Sequence, residues 1–150
     1  FYAALADSGL QYGPAFRTVQ ALSVSDGRAL GKIGLSHQAA TWERSLQLLH
    51  PAVLDGALQL AAMLAAPKGD EAPFVPAAVR RSTVASHCPA GMLWAGARIV
   101  ERTASGVVTD IEVFTEDGQL VAGLEGAEFR RASAAKWATA GTNDASERCL

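Results

Sequence analysis

Two polar side chains interrupt a run that is otherwise apolar. From Leu49 to Ala66 the chain reads LHPAVLDGALQLAAMLAA, and from Pro51 onward only Asp55 and Gln59 are polar. Spaced by four, they stack on one face of a helix, one turn apart. A carboxylate removed from water without a partner is costly enough that its pKa rises and it holds a proton instead. A carboxyl that is still protonated near neutral pH can serve as a general acid. Proton donation by Asp55 is therefore the candidate chemistry. The alternative is that Asp55, early in the helix, meets unpaired N–H groups of the first turn or is solvated at an edge of the fold.

The element that must position this pair is the helix itself. Leu49, Val53, Leu54, Ala57, Leu58, Ala61, Met63, Leu64 and Ala65 point in nearly every direction around a 3.6-residue period, which predicts a buried helix with no solvated face. Pro51 suits the first helical position, and Gly69 lies just after the apolar run ends. Pro51 to Ala66 would span about 24 Å, enough to cross a small domain.

The 150 residues suffice for one domain with a single core, and 49% hydrophobic and 19% charged residues agree with that. A net charge of −2 gives no basic excess for nucleic acid or an anionic membrane. No apolar run reaches the roughly 20 residues of a membrane span, because Pro67, Lys68, Gly69 and Asp70 close the longest. The two cysteines, Cys88 and Cys149, form no CxxC pair and have no histidine cluster near them. Neither a disulfide scaffold nor a metal site is expected, and reduced thiols point to the cytoplasm. The chain opens at Phe1, without an initiator methionine or a signal-like segment, and reads as a piece of something longer.

Before the helix, Phe1 to Gly9 reads as a short helix with Gly9 as its cap, and Tyr12-Gly13-Pro14 as a turn. A strand is expected from Phe16, turning at Ser25-Asp26-Gly27 into a return strand from Arg28 to Leu35. Ser36 to Leu48 is irregular, with Trp42 and Leu46 as anchors. After the helix comes a loop from Pro67 to Pro73. Pro76 argues against a central sheet position until after Ala77, with Val79, Ser82 and Val84 entering a strand. Three further strands follow, Leu93 to Arg102, Gly106 to Thr115 and Leu120 to Arg130, the last two joined by Glu116-Asp117-Gly118. From Ala132 to Leu150 periodicity fades into a linker or disordered tail. Hairpin-connected strands with one apolar helix between them predict an α+β hotdog fold, an antiparallel sheet wrapped around one long buried helix.

Four stretches resemble one family in order and approximate spacing. GLQYGPAF is similar to the motif GYxYGPxF, HPAVLDGALQ to HPxxLDxxxQ/H, FVPAAVRR to an LPFxW-type segment, and EVFTEDGQLVAGLEGAEFRRA to a terminal hairpin. These are features of polyketide synthase dehydratase domains, specifically the C-terminal hotdog of their double-hotdog fold, and the resemblance covers residues 1 to 131. It implies a hydro-lyase that removes water from a 3-hydroxyacyl thioester, carried on the phosphopantetheine arm of an acyl carrier protein, giving the α,β-unsaturated thioester. It places Asp55 on the catalytic acid and Gln59 on the residue that orients it. His50 is a supporting residue at the helix start, about 140° round the helix from Asp55. Tyr12, Gly13, Pro14, Phe16 and Pro76 fall on segments beside the acyl tunnel. No cofactor or metal is implied. The implied partners are an N-terminal hotdog half supplying a catalytic histidine, the acyl carrier protein and neighbouring synthase domains.

The chain departs from the pattern in several places. The HxxxGxxxxP motif of the catalytic base is absent: His37 lies in a polar loop and His87 precedes Cys88-Pro89 in a turn. Leu10 replaces a family tyrosine, and Val79 stands where the LPFxW tryptophan would be. The chain alone is expected to be inactive, since acid and base must both reach the substrate. A non-catalytic structural or acyl-binding hotdog, and a dehydratase-like isomerase or cyclase, remain alternatives on these residues.

Overall fold

The computed structural model describes residues 1–7, 9–35, 49–66, 73–86 and 91–132. The short first helix is α1 (Tyr2–Asp7). The next element differs from expectation. Pro14–Phe16 forms a 3-10 turn, with Phe16 N–H bonded to Gly13 O at 3.0 Å and Arg17 N–H to Pro14 O at 3.4 Å. Those bonds occupy the backbone that the loose alternation assigned to a strand, so β1 (Val19–Ser25) starts three residues later. It turns through Asp26 (φ 46) and Gly27 (φ 73) into β2 (Arg28–Ile33), two left-handed residues as a two-residue hairpin of this kind requires.

The long helix α2 spans Pro51–Ala65. Pro51 takes the first position, where a missing N–H costs nothing, and the His50 side chain caps the end by accepting from Ala52 N at 3.1 Å. At the other end Arg102 donates to Ala65 O at 3.1 Å and Leu64 O at 3.5 Å, satisfying carbonyls that the helix leaves open. Gly69 lies outside the described residues, as do Trp42, Leu46, His37, His87, both cysteines and 133–150.

β3 (Phe74–Val84), β4 (Leu93–Arg102), β5 (Gly106–Phe114) and β6 (Leu120–Arg131) complete one antiparallel sheet in the order β1-β2-β4-β5-β6-β3. β3 begins at Phe74, earlier than expected, and Pro76 lies inside it. The reason is position: β3 is an edge strand, and its pairing with β6 slips between Pro76 and Ala78.

One side of the sheet carries Ala29, Ile33, Leu93, Ala95, Ala97, Val107, Ile111, Val113, Leu124, Ala127 and Phe129, all buried in one cluster with Val53, Ala57, Leu60, Ala61 and Leu64 of α2. Each large side chain buried this way contributes about 1.5–3 kcal/mol. Two glycines set how closely helix and sheet approach. A Cβ on Gly31 would stand 2.2 Å from Leu60 Cδ1, and one on Gly56 would stand 2.3 Å from Thr18 Oγ1. The helix is not covered on every side, contrary to the expectation of no solvated face. Its sheet-facing side is sealed, while Pro51 is exposed and Leu54, Asp55 and Leu58 are half-buried in one stripe. A single sheet can wrap only one side, and the apolar surplus on α2 lies on the other.

Candidate active site

Asp55 projects from the half-covered stripe of α2, and Gln59 sits one turn further along, 2% exposed. The Gln59 amide nitrogen donates to Asp55 Oδ2 at 2.5 Å and to the backbone oxygen of Phe16 at 2.9 Å. Its amide oxygen accepts from the hydroxyl of Tyr2 at 3.1 Å, and that hydroxyl accepts in turn from Val19 N–H at 2.9 Å. Thus α1, the 3-10 turn, the start of β1 and α2 converge on one carboxyl. The fully buried Thr18 locks the convergence by donating to Ala52 O at 3.0 Å, a contact that exists because Gly56 has no side chain.

Burial pushes the Asp55 carboxyl above its ordinary range, and the hydrogen bond from Gln59 opposes this without cancelling it. Among the described residues no ion pair involves Asp55. Tyr2 and Tyr12 are also raised, each chiefly by burial and further by the charge of Asp55, so both phenols stay protonated near neutral pH. Their rings meet edge-on at 6.1 Å between centroids. Arg17 stacks on the Tyr2 ring at 5.8 Å and donates to Tyr12 O at 2.9 Å. The result is a desolvated acid with two phenols beside it and an oriented amide bonded to one oxygen. Such a group can hold a proton and release it to a nearby oxygen.

The sequence-derived residues are distributed unevenly around this centre. Asp55, Gln59, Tyr12 and the backbone of Phe16 come together. Gly13 and Pro14 are exposed on the turn that delivers Tyr12 and Phe16. His50 lies at the start of α2 with Nδ1 engaged as a cap. Pro76 is exposed on β3, at the opposite margin of the sheet from β1, and no described hydrogen bond connects it to Asp55. Tyr2 and Thr18 are central here, yet from the sequence they fall only within the short helix from Phe1 to Gly9 and the strand expected from Phe16, and neither stands out. Contacts 57 and 34 residues apart carry their roles, and no local pattern signals those. On the far side of the sheet an open groove of about 1110 Å³ runs between Ser23, Arg28, Arg80, Arg98, Glu112 and Glu125, and contains none of the candidate residues.

Residues 1–138 match the model of a family described as the polyketide synthase dehydratase N-terminal domain. This chain belongs to the polyketide synthase dehydratase family. It is 31% identical over 127 residues to polyketide synthase PksN of Bacillus subtilis, and 34% identical over 131 residues to polyketide synthase ThaG of Burkholderia thailandensis. Each match takes in 83% of the chain and 2% of the relative, so the chain spans a small part of these curated relatives. Among solved structures, the dehydratase domain from the CurK module of curacin polyketide synthase is 29% identical with a TM-score of 0.76, over 90% of this chain and 47% of that one. The dehydratase domain of RzxB from Pseudomonas fluorescens is 30% identical with a TM-score of 0.74, over 86% and 46%. The CurK dehydratase is also known as two inactive mutants, one with an aspartate changed to asparagine and one with a histidine changed to phenylalanine. The sheet and helix described above are the hotdog fold of these dehydratases.

Proposed function

We propose that residues 1–131 are the acid-bearing, C-terminal hotdog half of a polyketide synthase dehydratase, acting on a 3-hydroxyacyl thioester held by the phosphopantetheine arm of an acyl carrier protein. The observation that carries this is the Asp55 carboxyl: half-buried, raised by desolvation, without a described cation partner, and fixed by an amide on one oxygen. The CurK mutants pair an aspartate with a histidine, and Asp55 supplies the first of those groups here. The description of the matching family model speaks of an N-terminal domain. What favours the C-terminal half is that the chain has YGPxF and HPxxLDxxxQ and lacks HxxxGxxxxP.

The second group comes from a complementary hotdog half. That the chain matches 47% of the CurK dehydratase leaves room for one, and the half-covered stripe of Leu54, Asp55 and Leu58 gives it a surface to close. In the reaction a histidine of that half takes the α-proton, and the C–H electron pair forms the new double bond. The β-carbon to oxygen bond breaks, and the Asp55 proton goes to the departing hydroxyl, which leaves as water. Asp55 ends as carboxylate and the histidine as its conjugate acid, and one proton transfer restores both. The chain alone, without the histidine, is inactive. The synthase works in the cytoplasm, beside its carrier protein and neighbouring domains.

The test is Asp55→Asn in the full-length synthase, with conversion of a 3-hydroxyacyl carrier thioester to the enoyl product followed by mass spectrometry. Loss of elimination in a folded variant is the expected result. A folded variant that still eliminates water would remove Asp55 from the reaction and overturn the reading.

A further inference from the structure

The Gln59 amide is chemically two-faced, with a carbonyl that accepts and an NH2 that donates, and its direction decides what Asp55 experiences. Two backbone groups of fixed polarity fix that direction. Val19 N–H can only donate, so the Tyr2 oxygen that receives it at 2.9 Å must send its own proton elsewhere, to the Gln59 oxygen 3.1 Å away. Phe16 O can only accept, so the atom 2.9 Å from it is the Gln59 nitrogen. With both ends pinned, that same nitrogen donates to Asp55 Oδ2. An oxygen that accepts this bond in the plane of the amide is the wrong place for the acid's proton, which is left for Oδ1.

We infer that Tyr2 is a positioning residue of this site: its hydroxyl holds the Gln59 amide in the orientation that puts the transferable proton of Asp55 on Oδ1. The inference rests on the reading of Asp55 as the acid. Without the Tyr2 hydroxyl, the Gln59 oxygen loses its only described donor and the amide is free to turn. A turned amide presents its oxygen to Asp55, accepts the acid's hydrogen and withholds it from the substrate. It also withdraws the N–H that favours the carboxylate, so the carboxyl holds its proton to higher pH. Among the described residues, the other titratable or charged groups that meet this network are Tyr12, whose phenol feels the charge of Asp55, and Arg17 on the Tyr2 ring. Burial keeps the Tyr2 phenol protonated, and therefore a donor, through the working range.

The experiment compares Tyr2→Phe, Gln59→Ala and the double variant in the full-length synthase, with kcat measured against pH and thermal unfolding as a check on folding. Tyr2→Phe should lower kcat about tenfold, the effect of leaving one buried polar group without its partner, and move the alkaline limb of the kcat profile to higher pH. The double variant should match Gln59→Ala alone, because Tyr2 has nothing to orient once the amide is gone. Multiplicative losses, or a drop in kcat with an unmoved limb, would reduce Tyr2 to a packing residue and overturn the inference. If Tyr2→Phe does not fold, 4-fluorophenylalanine at position 2 fills the same space without a proton to donate and should move the limb to higher pH; no movement there would overturn it equally. Asp55→Asn in the same series separates the two failures. If that variant still eliminates water, the acid reading falls; if it does not, yet Tyr2 and Gln59 act independently, only the positioning role falls.

Discussion

Two faces of this molecule carry carboxylates, and they treat them in opposite ways. On the outer face of the sheet, Asp110 accepts from Arg98 at 2.7 Å and from Gly126 N–H at 2.9 Å, Glu125 meets Arg81 at 3.4 Å, and Glu128 meets Arg130 at 2.8 Å. Each has a cation, in reach of water that screens the pair. On the helix, Asp55 is given a neutral amide and partial burial, with no described cation. An arginine beside a carboxylate stabilises the charged form; burial beside an amide favours the neutral one. Partner choice, more than residue type, separates a carboxyl pushed toward its neutral form from carboxylates that meet cations at a surface.

The sharpest way to break that comparison is to make Asp55 unable to donate. A general acid contributes about 100-fold to 10,000-fold, so Asp55→Asn should cost turnover in that range. Stability should move the other way. The folded-state pKa of Asp55 lies above its unfolded value, so ionising it favours unfolding as pH rises through the folded value. An asparagine carries no such penalty. Asp55→Asn should therefore unfold at a higher temperature near neutral pH, and the advantage should shrink to nothing below the ordinary carboxylate range, where both states are protonated. Calorimetry across pH checks this, and a variant less stable at neutral pH would show that the carboxylate is better accommodated than its burial implies.

A smaller effect follows from keeping the acid and removing the amide. Gln59→Ala takes away the one hydrogen bond that favours the Asp55 carboxylate, and leaves the Tyr2 hydroxyl and Phe16 carbonyl without that partner. Turnover should fall about tenfold to 100-fold, less than for Asp55→Asn, with the alkaline limb shifted upward. Activity equal to wild type would mean that burial alone sets the acid.

How much of this was legible in the sequence depends on how far apart the partners lie. Asp55 and Gln59 are four residues apart, so their pairing follows from helix geometry alone. The six strands were readable because alternation, Asp26-Gly27 and Asp117-Gly118 are local signals; Pro76 was read as delaying the third until after Ala77, whereas β3, at the sheet's edge, takes Pro76 in. The 3-10 turn at Pro14–Phe16 was missed because three residues carry too little periodicity to compete with a strand pattern. Tyr2 did not stand out within the short first helix, since its partners are Val19 and Gln59, 17 and 57 residues away. The half-buried stripe on α2 was missed for a different reason. A helix that is apolar all round reads as buried, but periodicity does not say whether its own chain does the burying.

Gly56 offers a test between the two faces in size, acting on packing rather than on charge. Alanine in place of a helix-interior glycine gains about 1 kcal/mol in propensity, yet its Cβ would stand 2.3 Å from Thr18 Oγ1, a side chain with no exposed surface to retreat into. Overpacking a filled core costs about 1–3 kcal/mol, so Gly56→Ala should be net destabilising by about 1 kcal/mol, read as a lower Tm. Because Thr18 precedes Val19, the displacement should also stretch the contact to Tyr2 and lower kcat. A more stable, fully active variant would show that the approach of β1 to α2 is not tight.

The least effect belongs to the outer face. Arg98→Ala removes a pair whose arginine is 62% exposed, and exposed pairs contribute about 0–1 kcal/mol. Asp110 keeps its bond from Gly126 N–H, where β6 has one residue more than β5 between the pairs Thr109–Ala127 and Ile111–Leu124, so that irregularity retains its anchor. The variant should therefore lose at most about 1 kcal/mol in denaturant titration, with the loss shrinking further in high salt. Its kcat and the position of its alkaline limb should equal those of the unaltered protein, because the sheet and the core separate Arg98 from Asp55. A shifted limb would mean that the outer charges reach the acid through the sheet, and the two faces would then have to be treated as one electrostatic system.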